Sequence, residues 1–282
     1  MTAVVKSVWI TALAAWLLLA GPAAQAQEEV PFITTPDSVV MAMLKLADVK
    51  ASDFVLDLGS GDGRIVISAA RFFGARGLGV EIVPDLVERS RRNAQAAGVA
   101  QQARFEVQDL FKTDLAQASV ITMYLLPEIN LQLRPALLQL APGTRIVSHD
   151  WDMGDWAPER SITLDVPDKA VGREKLSRAH LWVVPAPLRG LWCARQGSRR
   201  ASLVLQQRYQ QVQASLRAGR ASWAGPGRID GRHLMLGQGA ETSRWVYAVQ
   251  AAPTLSLQDG AAAFKAWRGV AFKPARGRQC DN

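Results

Sequence analysis

Three glycines at alternate positions, Gly59, Gly61 and Gly63, follow an aspartate, Asp57, in the run FVLDLGSGDGRIVISAA, with Ser60 and Asp62 between them. Glycine has no Cβ, so a backbone built this way can come close to a ligand. The spacing excludes two phosphate-binding patterns. A dinucleotide fingerprint counted from Gly59 needs glycine at position 64, where Arg64 stands, and the G-K-[ST] of a Walker loop is absent. What remains is D-x-G-x-G-x-G. A carboxylate beside such a loop is poor for a pyrophosphate and suits a ligand carrying an ammonium or other cationic group. Two further acids follow: Glu81 closes GLGVEI, and Asp109, followed by Leu110, closes ARFEVQD. A carboxylate at the first place can accept hydrogen bonds from both hydroxyls of a ribose, and one at the second from an adenine amino group. The plainer reading of both acids is helix capping.

The elements that must hold these groups alternate. SVVMAMLKLADV has helical spacing with Asp37 or Ser38 as its cap, and FVLDL reads as a strand buried on both faces. DGRIVISAARFFG and PDLVERSRRNAQAAG read as helices, the second opened by Pro84 and closed by Gly98. GLGVEI, ARFEVQD, ASVITMYLL and GTRIVSHDW read as further strands, with PEINLQLRPALLQL as a helix. This β–α order predicts an α/β fold with a doubly wound parallel sheet. ERSITLDVPDKAVGREKLSRAHLWVVPAP breaks the alternation and is expected to close one sheet edge as an antiparallel hairpin. After Pro187 polar and apolar residues alternate between glycine-rich turns, which predicts a small antiparallel sheet or partial barrel. The expected division is a leader over 1–26, a nucleotide-type domain over 27–186 and a basic β domain over 187–282.

Asp57, Gly59, Gly61, Gly63, Glu81 and Asp109 together resemble the class I S-adenosylmethionine-dependent methyltransferases. The blocks ITTPDSVVMAML, DLGSGDGRIVISAA, GARGLGVEI, MYLLPEINLQLRP and PGTRIVSHDWDMGDWAPE are similar to the small membrane-associated protein-lysine methyltransferases of mitochondria and their bacterial relatives. The likeness covers roughly residues 31–165. It implies a Rossmann-like methyltransferase fold and S-adenosylmethionine as cofactor, bound by Asp57, Gly59, Ser60, Gly61, Asp62, Gly63, Glu81, Asp109 and Leu110. It also implies N-methylation of a protein lysine. The relatives lack a C-terminal domain of this kind.

On the acceptor side the fourth strand ends MYLLPE. Tyr124 and Pro127 fall where relatives place acceptor-facing groups, and the Tyr124 ring can face a cationic amine. A lysine acceptor must lose its proton, and burial beside an apolar wall helps it do so. Glu128 reads as a helix N-terminal acid, Thr35-Pro36 as a lead-in across the cofactor or a plain helix start, and His149 as a structural strand-end histidine.

Charge and targeting pull in another direction. Residues 27–180 carry 17 Lys/Arg against 21 Asp/Glu, whereas 181–282 carry 15 against 4. That excess favours an anionic partner, an anionic membrane surface or an acidic protein rather than nucleic acid. The first residues have one charge, Lys6, an uncharged run from Val8 to Ala20, then Gly21-Pro22 and Ala24-Gln25-Ala26. This is the layout of a secretory signal cleaved after Ala26, so an exported, periplasmic or membrane-associated location is expected. An exported chain could join Cys193 to Cys280. His149, His180 and His233 are isolated and no Cys or His pair has zinc spacing, so no metal is expected. Export conflicts with cofactor supply, and the alternative is an exported binding or scaffold protein that kept the fold and lost catalysis.

Overall fold

The computed structural model describes residues 33–167, 169–170, 174–239, 242–260, 262–277 and 279–280, and the expected leader over 1–26 lies outside them. The chain from Ile33 onward forms one compact unit. Its first half alternates as its sequence predicts: α1 (Asp37–Leu46), β1 (Phe54–Leu58), α2 (Arg64–Phe73), β2 (Arg76–Glu81), α3 (Pro84–Ala96), β3 (Ala103–Val107), β4 (Val120–Met123), α4 (Pro127–Leu137) and β5 (Arg145–His149). One detail differs. Neither Asp37 nor Ser38 caps α1; the N-cap is Pro36, whose carbonyl accepts from the Val40 N–H at 2.9 Å.

β6 (Arg160–Asp165) and β7 (Leu176–Val183) form the expected hairpin, and the sheet order is β3-β2-β1-β4-β5-β7-β6. β1 to β5 are parallel, and β7 runs antiparallel to both of its neighbours. The order reverses direction between β1 and β4, which opens a crevice at the carboxyl ends of those strands. Alternate residues of β1 serve opposite layers. Val55 packs with Met43 and Leu44 of α1, and Leu56 and Leu58 pack with Leu133 and Leu137 of α4.

The second half is a closed barrel rather than a partial one. Its strands are β8 (Gly190–Gln196), β9 (Arg199–Arg208), β10 (Gln211–Ala218), β11 (Ala221–Asp230), β12 (His233–Leu236), β13 (Ser243–Val249), β14 (Pro253–Asp259) and β15 (Ala271–Pro274), the last pairing back onto β8. Alternate residues point inward, so Trp192, Leu203, Leu205, Leu216, Trp245 and Phe272 fill the interior. Eight strands leave room for about that much. The seam is thin, with two registered pairs joining β15 to β8, Lys273 with Cys193 and Pro274 with Trp192. The Cys193–Cys280 disulfide staples it, with a Cα–Cα distance of 5.6 Å across 87 residues of sequence. Closing a loop of that length is worth roughly 4–5 kcal/mol in the chain-entropy model.

The segment joining sheet to barrel is not a loose linker: Val184, Ala186 and Leu188 are fully buried. The β9–β10 turn meets the chain leaving β5. Trp156 Nε1 donates to Gln210 Oε1 at 3.1 Å, Gln210 Nε2 donates to the Ala157 carbonyl at 2.7 Å, and the Tyr209 ring stacks on Trp156 at 6.0 Å. Tyr209 sits at φ +52°, where neighbouring barrel turns use Gly219 and Gly231. Its contacts to Trp156 and, through its hydroxyl, to Asp155 at 3.0 Å hold that left-handed residue in place.

Candidate active site

The glycine loop leaves β1 at the crevice with all three glycines left-handed, at φ +74°, +54° and +82°. Side chains do not fit there. A Cβ on Gly59 would lie 2.9 Å from Leu125 Cδ2, and one on Gly63 2.7 Å from the Phe105 ring. The loop carbonyls are turned to α3: Ser90 Oγ donates to the Gly61 carbonyl at 3.0 Å and Asn93 Nδ2 to that of Asp62 at 2.9 Å. The Gly59 and Ser60 N–H groups both donate to the Val80 carbonyl. The Ser60 side chain packs against Gly79 of β2, where its buried hydroxyl has no partner.

Arg64, the residue that breaks the dinucleotide pattern, has a visible task. It forks onto the Asp62 carboxylate at 2.9 and 2.7 Å and donates to the Thr35 carbonyl at 2.8 Å. The lead-in before α1 is thereby tied to the loop. Burial pushes the Asp62 carboxyl up, but the Arg64 fork outweighs it and holds the group below the ordinary range.

Asp57 is different. It is 2 % exposed and accepts from the Thr122 hydroxyl of β4 at 2.7 Å. Burial, followed by the charges of Glu81 and Asp62 and opposed by the Thr122 hydrogen bond, raises its pKa to about 7. Glu81 is oriented by backbone: Oε2 accepts from Gly61 at 3.0 Å, and Oε1 from Ile82 at 2.8 Å and Val83 at 3.1 Å. Asp57, Asp62 and Glu81 thus gather negative potential around a backbone cradle, and the only guanidinium among these contacts is spent on Asp62. That donor set fits a cationic nucleoside with a ribose and repels a pyrophosphate. Asp109 adopts the capping role that the sequence left open, accepting from the Phe111 N–H at 2.9 Å at the start of a short 3-10 turn, Leu110–Lys112. Ile82, Val107 and Phe111 stand exposed along this side, an apolar wall of the kind a flat base can lie on.

The acceptor side is built from the exits of β4 and β5. The half-buried Tyr124 ring lies 4.0 Å from His149. Burial, then the negative charge of Asp150, raises the phenol. Pro127 is the first residue of α4, behind Leu126 as N-cap. It offers no proton-transfer group, so it sets the direction of α4 rather than doing chemistry. His149 is fully buried between the Thr35 hydroxyl at 3.2 Å and Ser177 Oγ at 3.0 Å. Burial drives its pKa down to about 4, so it is neutral in the working range. Asn130 is also buried and donates to the Trp151 and Asp152 carbonyls, both at 3.3 Å, fixing the chain beyond β5. Leu126 and Trp151 are exposed at this rim, by 46 % and 43 %.

Three participants escaped the sequence reading. Thr122 is an interior strand residue, and Asp150 and Lys169 meet across 19 residues, Lys169 Nζ donating to Asp150 Oδ2 at 2.7 Å. The left-handed φ of Asp150, +62°, has no sequence signal because aspartate tolerates it only moderately well. Among the described residues no group of His, Cys, Asp and Glu is placed to hold a metal ion.

A glycine cradle at the switch point, flanked by acids at three successive strand ends, defines a nucleoside-binding α/β enzyme of the methyltransferase type. Comparison with known proteins agrees. The family model for the ANTKMT methyltransferase domain matches residues 57–160. A protein-lysine N-methyltransferase of Saccharolobus islandicus is 40 % identical over 138 residues, 48 % of this chain and 86 % of that protein. The adenine nucleotide translocase lysine N-methyltransferase of Mus musculus is 33 % identical over 132 residues, 46 % of this chain and 57 % of the mouse protein, so the match leaves a large part of that relative uncovered. A solved RNA methyltransferase of Salinibacter ruber, in complex with S-adenosyl-L-homocysteine, is 51 % identical with a TM-score of 0.50, over 55 % of this chain and 96 % of that one. The chain belongs to the same family as the Saccharolobus enzyme and is a class I S-adenosylmethionine-dependent methyltransferase.

Proposed function

We propose that the protein methylates the side-chain amine of a lysine in a protein substrate. The support is the family membership joined to one observation: Asp57, buried and without a cationic partner, beside three left-handed glycines. In this reading Asp57 receives the cationic amino-acid end of S-adenosylmethionine, Gly59, Ser60, Gly61, Asp62 and Gly63 form the cradle, Glu81 takes the ribose, and Asp109 and Leu110 border the adenine. The cofactor supplies an activated methyl group on a sulfonium. The chain's own part is aim: Tyr124 presents a ring face and a hydroxyl to the acceptor, and Pro127 fixes the helix behind it. Orientation of this kind can supply roughly 7–11 kcal/mol of a displacement barrier. Isothermal titration with S-adenosylmethionine, followed by labelled methyl transfer to envelope protein and to RNA, tests the reading. Binding with label on RNA alone would overturn the lysine assignment, and no binding at millimolar cofactor would remove the enzyme.

We also propose an exported location with the barrel facing an anionic membrane. The leader-like residues 1–26 support export, and so does the Cys193–Cys280 disulfide, since such bonds persist mainly in oxidising compartments. At the barrel end far from the Tyr209 turn, Arg199, Arg200, Arg217, Trp267 and Cys280 line a cleft of about 670 Å³. A fusion to a reporter active only outside the cytoplasm tests location. Co-sedimentation with vesicles rich in phosphatidylglycerol tests the membrane; equal binding to neutral vesicles, or binding only to acidic polypeptide, would overturn it.

A further inference from the structure

A lysine of the chain itself already stands at the acceptor edge. Lys169 enters from the connection between β6 and β7. Its ammonium donates to Asp150 Oδ2 at 2.7 Å and to the Leu176 carbonyl at 2.6 Å. Both side chains are largely covered, at 12 % and 17 % exposure. An ammonium has three donors, so two are used here. Asp150 is held for this role. Its other oxygen accepts from the Arg178 N–H at 2.9 Å, its own N–H donates to the Arg178 carbonyl at 2.7 Å, and its backbone is left-handed at φ +62°. The carboxylate is also tied to the site. Its Oδ2 lies 3.5 Å from His149 Nε2, whose ring centroid is 4.0 Å from that of Tyr124, and the residue after that tyrosine, Leu125, reaches the space over Gly59. The Lys169 ammonium is therefore linked through Asp150, His149 and Tyr124 to the floor of the glycine cradle.

We propose that Asp150 is the subsite for the acceptor's ammonium, and that Lys169 fills it in the resting enzyme until a substrate lysine displaces it. This rests on the lysine reading above and deepens it. Asp150 is a positioning residue. Burial raises its carboxyl, but the Lys169 and Arg178 hydrogen bonds more than offset that and hold it below the usual range, so it docks the acceptor as its ammonium and the amine proton passes to solvent before the methyl group is transferred. The exposed Leu126 and Trp151 beside it offer apolar surface to the stem of the incoming side chain.

The experiment uses the full chain and two probes. In steady-state transfer to a lysine peptide, Lys169→Ala lowers the acceptor KM several-fold with kcat little changed. Asp150→Asn raises it about tenfold or more, the effect of losing a charge-assisted hydrogen bond, while cofactor affinity stays the same. Asparagine tolerates a left-handed backbone, so that variant keeps its fold, which a thermal melt checks. In direct titration with Nα-acetyl-lysine methylamide, Lys169→Ala binds the probe and Lys169→Ala/Asp150→Asn does not. Equal binding by the single and double variants, or a higher KM in Lys169→Ala, overturns the subsite. Binding of the probe by Lys169→Ala without transfer to any lysine leaves the subsite standing and removes the lysine-transfer reading.

Discussion

Two aspartates at the carboxyl edge of the same sheet, on strands separated by β4, behave in opposite ways. Asp57, on the cofactor half, is buried against a hydroxyl with two other acids nearby, and its pKa rises to about 7. Asp150, on the acceptor half, is also partly buried, yet hydrogen bonds from Lys169 and the Arg178 backbone hold it low. Burial acts upward on both; the presence or absence of an internal cation decides the outcome. The chain leaves Asp57 without a cation, and it supplies Lys169 to Asp150.

Asp57→Ala is expected to weaken S-adenosylmethionine on the order of 10²–10³-fold in isothermal titration, the cost of stripping one partner from a buried charge pair. A loss of under threefold would mean that the uncompensated carboxylate has no cationic guest. The pH dependence of binding comes next. Cofactor pairing favours the ionised carboxylate, so affinity rises about tenfold per pH unit below about 7 and levels off above it, with proton release on binding. Titrations at pH 6 in buffers of different ionisation enthalpy measure that proton, and a flat profile would contradict the assignment. Thr122→Val removes the hydrogen bond that lowers Asp57. The bend in that profile should then move to higher pH, with a cofactor affinity loss of about tenfold or less at pH 7.

The smallest effect is on stability. His149 falls from 6.5 to about 4 on folding, so its contribution is lost as pH drops through that window. Asp57 rises from 3.8 to about 7, so its contribution is lost as pH climbs through its own window. Between pH 4 and 6.5 the two slopes oppose. Asp57→Asn removes one of them, and unfolding free energy should then climb with pH more steeply than in the unmutated protein, by at most about 1.4 kcal/mol per pH unit. Parallel denaturation curves at pH 4.5 and 6 would show that Asp57 is not shifted.

What was readable in sequence was what local chemistry dictates. The D-x-G-x-G-x-G run, the acids closing β2 and β3, and the β–α alternation are each carried by residues within one or two elements. Asp109 was open to both adenine contact and capping and caps a 3-10 turn, because capping and ligand contact ask for the same residue type. The barrel's alternation was visible, but its closure was not. β15 is four residues long and pairs with β8 at two positions, far too little signal to announce a seam. Tyr209 hid a turn inside ASLVLQQRYQQVQASL, since a tyrosine at positive φ is explained only by Trp156 and Asp155, more than 50 residues earlier.

By itself the sequence determined the class of fold, the shape of the cofactor loop and the charge imbalance between the two halves, because short-range sterics and periodic burial write these into contiguous residues. Only the tertiary structure decided which acids keep a cation and which do not, that Lys169 lies against Asp150, and that the cysteines meet across the barrel seam. Those outcomes depend on distances between residues far apart in the chain, and no local pattern encodes a distance that folding alone creates.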